Sequence, residues 1–187
     1  MNRTISTGPN PRIVVESVGG DLSVVGWEGE DVLLKGDEDE IRFNQNGDLV
    51  TVSSADDLSL RIPRNAQLRV DTVGGDMSLR GVIGGVELAN IGGDLSVRDV
   101  GMIAIDNVQS DFSLRGARGN LSVKNVAGDA SVRDVEGNVS LSVGDDLALR
   151  NVVGGNISAN VGEDVVLYLT LDAGQAVSVT AGDDILL

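Results

Sequence analysis

The chain has 187 residues, the length of one domain, with 41% apolar residues, 2% aromatic residues and a formal net charge of −15 at pH 7. It contains no cysteine and no histidine, which excludes disulfide and thiolate chemistry and removes the commonest general base and a frequent metal ligand. The acidity (pI near 4.1) sets the surface against nucleic acid and against insertion into anionic membranes. With only Trp27, Phe43, Phe112 and Tyr168 as aromatics, the core must be narrow and filled by Val, Leu, Ile and Ala. The 25 glycines against 3 prolines suit many tight turns.

Met1 to Pro11 is polar and lacks the apolar run of a signal peptide, so the expected location is cytoplasmic by default, or the surface if a leader was removed. Pro9 and Pro11 blunt strand pairing, and residues 1–11 are expected to fold over the first coil as a cap. From Ile13 onward the chain repeats. Gly93-Asp-Leu-Ser-Val-Arg-Asp-Val and Gly128-Asp-Ala-Ser-Val-Arg-Asp-Val are near copies, and Gly119-Asn-Leu-Ser-Val-Lys-Asn-Val is a second version. One version is tracked by Asp21, Glu40, Asp57, Asp76, Asp94, Asp111, Asp129, Asp146, Asp164 and Asp184. The other is tracked by Ile13, Val32, Leu49, Leu68, Val86, Ile103, Leu121, Val139, Ile157 and Val177. Both series advance by 17–20 residues and cover the chain without a linker.

Within a unit such as Leu95-Ser96-Val97-Arg98, apolar and polar residues alternate, the pattern of a strand with one buried face. A further apolar residue, such as Val100, fills the corner, and Gly-Gly, Gly-Asp or Gly-Asn makes the turn. Antiparallel hairpins would not require like residues to recur at a near-constant coil length; a solenoid does, because each coil lies on the one before it. The predicted fold is therefore an all-β, single-domain parallel β-solenoid over residues 1–187, with about ten coils and two strand-bearing faces. Right-handed winding is expected from the handedness of parallel crossovers.

Outward positions also line up. Arg61, Arg80, Arg98, Arg115, Arg133 and Arg150 share one repeat position, and Ser59, Ser78, Ser96, Ser113 and Ser131 share another. The Arg stripe reads either as an anion track for acidic glycans or as a solvated face whose stems cover the strand. The Asp stripe reads either as a cation site or as a set of acceptors for turn N–H groups. Calcium-binding nonapeptide rolls place a third glycine before the acid, and Gly74-Gly75-Asp76 and Gly92-Gly93-Asp94 do not. The doublets Asp56-Asp57, Asp145-Asp146 and Asp183-Asp184 could hold cations loosely. No nucleophile–base set, phosphate loop or histidine-bearing metal cluster is present in the sequence, so neither an enzyme nor a cofactor is expected.

At the C-terminal end Gly182-Asp183-Asp184-Ile185-Leu186-Leu187 reads as a strand without a cap, and Val166 replaces the usual outward Ser. Val166, Tyr168, Ile185, Leu186 and Leu187 are the candidate self-association residues, forming a homodimer or an end-to-end oligomer.

The run Ile13-Val14-Val15-Glu16-Ser17-Val18-Gly19-Gly20-Asp21-Leu22-Ser23-Val24-Val25-Gly26-Trp27 resembles the start of bacterial “putative adhesin” domains of unknown function. Through the same repeat logic the chain also resembles the bactofilins, which are cytoskeletal β-helices. The resemblance implies a right-handed parallel β-helix with a surface or scaffold role, no cofactor and no catalytic residues. The leading expectation is a non-enzymatic, self-associating structural or adhesin-like module. The alternative is a binding module that recognises a glycan or cations through its Ser/Arg or Asp ladders. A carbohydrate-active enzyme is disfavoured, because paired carboxylates here arise from the repeat itself.

Overall fold

The computed structural model describes residues 2–187; Met1, the first residue of the expected cap, lies outside the described residues. Among the described residues there are twenty-one strands and no helix. In chain order they are β1 (Asn2–Ser6), β2 (Arg12–Val18), β3 (Leu22–Trp27), β4 (Asp31–Gly36), β5 (Ile41–Asn46), β6 (Leu49–Ser54) and β7 (Leu58–Pro63). Next come β8 (Gln67–Val73), β9 (Met77–Arg80), β10 (Val86–Ile91), β11 (Leu95–Val100), β12 (Ile103–Val108), β13 (Phe112–Ala117) and β14 (Leu121–Val126). The last are β15 (Ala130–Glu136), β16 (Val139–Val143), β17 (Leu147–Val153), β18 (Ile157–Val161), β19 (Val165–Tyr168), β20 (Val177–Ala181) and β21 (Ile185–Leu186).

Two sheets enclose the core. Face A runs β1-β4-β7-β3-β9-β11-β13-β15-β17-β19-β21, and face B runs β5-β6-β2-β8-β10-β12-β14-β16-β18-β20. Each parallel coil is one face-B strand leading into one face-A strand. In the coil β12–β13, Ile103, Ile105 and Val108 point inward from face B and Phe112, Leu114 and Ala117 from face A, all buried. The next coil sets Leu121, Val123 and Val126 on the first three and Ala130, Val132 and Val135 on the second. Each fully buried Val, Leu or Ile contributes about 1.5–3 kcal/mol. The aliphatic columns are therefore the main stabilising element, and the Gly/Asp turns only direct them.

One local device makes the corner. Strict alternation after Leu95-in, Ser96-out, Val97-in and Arg98-out would turn Val100 outward. Asp99 instead takes φ 53°, which flips the alternation and buries Val100. The same position is Gly81 at 74°, Gly116 at 82°, Asp134 at 60° and Asn151 at 53°. These are the residue types that tolerate the left-handed region.

The coil order departs from the sequence expectation. Seven coils are stacked in chain order, from β8–β9 to β20–β21, and two further parallel coils are stacked out of order. The coil β2–β3 lies between β6–β7 and β8–β9, so Leu22 pairs with both Leu58 and Met77. Residues 31–46, expected as a parallel coil through Val32 and Glu40, instead form β4 and β5, which run antiparallel to β7 and β6. The cause is local. Asn46-Gly47, with Gly47 at φ 60°, is a hairpin turn that reverses the chain from β5 into β6. The reversed strands keep period two, so Val32, Leu34 and Ile41 still point inward, and they cover the N-terminal end of the core. Within the segment expected as a cap, β1 pairs antiparallel with β4 and buries Ile5. The Arg3 guanidinium lies 4.2 Å from the centre of the Phe43 ring, adding a cation–π contact to that cover.

Candidate functional site

The Asp column of face A consists of Asp57, Asp21, Asp76, Asp94, Asp111, Asp129, Asp146, Asp164 and Asp184 in spatial order. Each carboxylate accepts the backbone N–H of the next member, from 2.8 Å at Asp21 to 3.2 Å at Asp111. Glu40 is not a member, because it precedes the antiparallel β5. The residue before the Asp is often glycine for a steric reason. A Cβ at Gly93 would lie 2.1 Å from the Asp76 carboxylate oxygen below it. A matching column on face B uses amides: Asn138 N–H donates to Asn120, Asn156 N–H to Asn138, and Ala176 N–H to Asn156. The Ser110 hydroxyl and the Asp111 N–H hold the Asp94 carboxyl below the ordinary carboxylate range. A groove of about 890 Å³ runs beside this column from Asp57 to Asp129, between the Asp and Ser columns, with Lys35 and Gly36 at one end. Among the described residues no group of three or more carboxylates is arranged to hold a metal ion.

Acids crowd the same corner nearer the C-terminal end. Glu163 stacks between Asp145 and Asp183, and its N–H donates to the Asp145 carbonyl. Repulsion from Asp145, then from Asp146, with smaller contributions from Asp183 and Asp164, pushes the exposed Glu163 carboxyl above its ordinary range.

The Arg stripe is real but interrupted. Its spatial order is Arg61, Val25, Arg80, Arg98, Arg115, Arg133, Arg150 and Tyr168, because β3 is inserted between β7 and β9. Five arginines are thus contiguous and Arg61 stands apart. Arg150 stacks on Tyr168, 5.0 Å from the ring centre, and Arg115 lies 4.0 Å from the Asp134 carboxylate. Ser59, Ser23, Ser78, Ser96, Ser113 and Ser131 run alongside, two residues earlier in each strand. Ser23 belongs to this column although the periodic series omitted it; its Leu-Ser-Val context was the available signal.

The five candidate self-association residues do not form one surface. Ile185 pairs with the inward Val165 and lies at the end of the stack, 46% exposed. Leu186 pairs with Val166 in the outward Ser column, and Tyr168 continues the Arg column. Leu187 comes directly after β21 and is 87% exposed. Val177, on the inward column of face B, is also uncovered, with Val179 and Ala181 partly so. Their inward parity in the C-terminal coil was the sequence signal for them. Residues 169–176 lengthen this coil through a turn in which Gln175 binds Asp172 and the Gly155 carbonyl.

The chain matches no protein-family model and no curated protein. Among solved structures, that of a “putative cell adhesion protein” from Clostridium sporogenes ATCC 15579 is similar to it, at 10% identity and a TM-score of 0.32, over 98% of this chain and 99% of that one.

Proposed function

We propose that the protein is a non-enzymatic structural rod, adhesin-like in kind, that associates with itself through the C-terminal end of its stack. The observation that supports this is the asymmetry of the two ends. At the N-terminal end β4, β5 and the Arg3–Phe43 contact cover the core. At the C-terminal end the inward-column residues Val177 and Ile185 are exposed at 37% and 46%. Open sheet edges occur at both ends, β20 and β21 here and β5 and β1 at the other, so the asymmetry lies in the uncovered apolar side chains. A second copy offers the same coil outline and the same aliphatic inward positions, so a head-to-head pair buries both ends at once. The covered N-terminal end disfavours a head-to-tail filament.

Sedimentation velocity over a concentration series tests the reading. A dimer is expected, together with rods of twice the single length in negative-stain images. Val177→Asp and Ile185→Asp, at the uncovered inward positions, should each shift the species to monomer. A monomer at every concentration, or a dimer indifferent to both substitutions, refutes the proposal.

A further inference from the structure

We propose that the outward surface of face A is a single-file track for a linear acidic polysaccharide. Its carboxylate or sulfate groups would meet the arginine column, and its hydroxyls the serine column. This goes beyond the self-association reading and stands independently of it.

Charge segregation carries the argument. The eight parallel strands from β7 to β19 present sixteen outward positions in these two columns. Six are arginine, six are serine and none is a carboxylate; the other four are Val25, Ala148, Val166 and Tyr168. Six of the chain's 14 cationic side chains therefore sit in one column of a protein whose net charge is −15. Most are unneutralised: among the described residues Arg61, Arg80, Arg98, Arg133 and Arg150 have no carboxylate within 4.0 Å. A furrow of about 290 Å³ lies between the columns, lined by Ser96, Arg98, Ser113, Arg115, Ser131 and Arg133.

The shape of the strip selects the ligand class. Its columns repeat once per coil, about 4.8 Å, close to the advance of one sugar unit in an extended chain. The guanidinium fork matches carboxylate and sulfate geometry. Serine hydroxyls donate and accept, as sugar hydroxyls do. Acids fence the two sides unequally: the Asp94 column begins about 13 Å before the Arg98 column, and on the other side Asp99 and Asp134 come directly after two of the five contiguous arginines. A nucleic-acid duplex would overrun these fences, and a single strand would find no row of aromatic side chains on which to stack its bases. Individual exposed contacts are weak, so affinity would come from several coils acting on one chain and would fall with salt.

Isothermal titration of the full chain at low ionic strength tests this. The probes are a decameric oligogalacturonate, a dextran sulfate, neutral dextran and single-stranded DNA of matched charge. The substitutions Arg98→Gln, Arg115→Gln and Arg133→Gln, combined in one variant, lie at exposed positions, and thermal unfolding verifies that the fold is kept. At least one acidic glycan should bind while neutral dextran does not, and the carboxylated and sulfated probes identify the preferred anion. The triple variant should weaken binding at least about tenfold, whereas Arg61→Gln, isolated behind Val25, should change it less than about twofold. Absence of binding by both acidic glycans, equal binding by the triple variant, or DNA bound as tightly as the glycans overturns the proposal. Sedimentation is read separately, so failure here leaves the dimer test intact.

Discussion

Phe112 is the one wholly buried aromatic, 1% exposed, and it stands in the first inward column of face A between Leu95 and Ala130. The large ring and the small methyl are neighbours, and the column fits because one offsets the other. Phe112→Ala should therefore cost about 3–5 kcal/mol, the transfer term plus the void. A double-mutant cycle is more informative. Phe112→Leu alone leaves unfilled space beside Ala130 and should cost about 1–2 kcal/mol. Ala130→Leu alone crowds the ring and should cost about 1–3 kcal/mol. Together they place two leucines in register, an arrangement the same column already contains at Leu22 and Leu58. The double variant should therefore be more stable than the sum of the singles by at least ~1 kcal/mol. Urea unfolding followed by far-UV circular dichroism gives the four stabilities, provided that the m-values agree. Additive costs would refute the claim that Phe112 and Ala130 share one packing volume.

Two other outcomes rest on local features. Asp99→Val places a β-branched residue at φ 53° and should destabilise by about 1–2 kcal/mol, whereas Asp99→Gly should be close to neutral; thermal melts distinguish them. The Glu163 carboxyl is raised by its acidic neighbours, so its charge opposes the fold at pH values above its folded pKa. That penalty is relieved as the pH falls through the raised value and the native state takes up its proton. Glu163→Gln should accordingly raise Tm at neutral pH, and the gain should vanish as the pH is lowered; a constant gain across the range would contradict this assignment.

Much of the fold was legible because the physics is periodic. Leu95-Ser96-Val97-Arg98 gives the strand, the inward face and the outward columns, and all three appear in the structure. The stacking order was not legible. Leu22 fits as well beside Leu58 as beside Met77, and nothing in a column of interchangeable aliphatics says which coil neighbours which. Residues 31–46 misled for a related reason, since a reversed pair of strands occupies almost the same number of residues as a coil. The sign of reversal was present in Asn46-Gly47, a strong hairpin signal that a fixed repeat length absorbed. For the outward faces, the interruption of the arginines by Val25 is a result of the inserted coil and was hidden with it. The left-handed column was available all along as Gly81, Asp99, Gly116, Asp134 and Asn151, each directly after an arginine.

The inserted coil has a consequence for how the molecule is made. A ribosome delivers residues 12–27 before either of their eventual neighbours, so the earliest coil leaves both its flanks unpaired until β6–β7 and β8–β9 have emerged. Winding cannot proceed upward from the first turn. It can begin in the regular stretch beyond residue 67, where each new turn finds its predecessor already in place, or wait until residues 49–63 slot between segments synthesised earlier. Deleting residues 12–27 would then remove an interior layer rather than shorten the rod, leaving β6–β7 and β8–β9 to meet across a gap for which their connecting segment, residues 64–66, was not shaped.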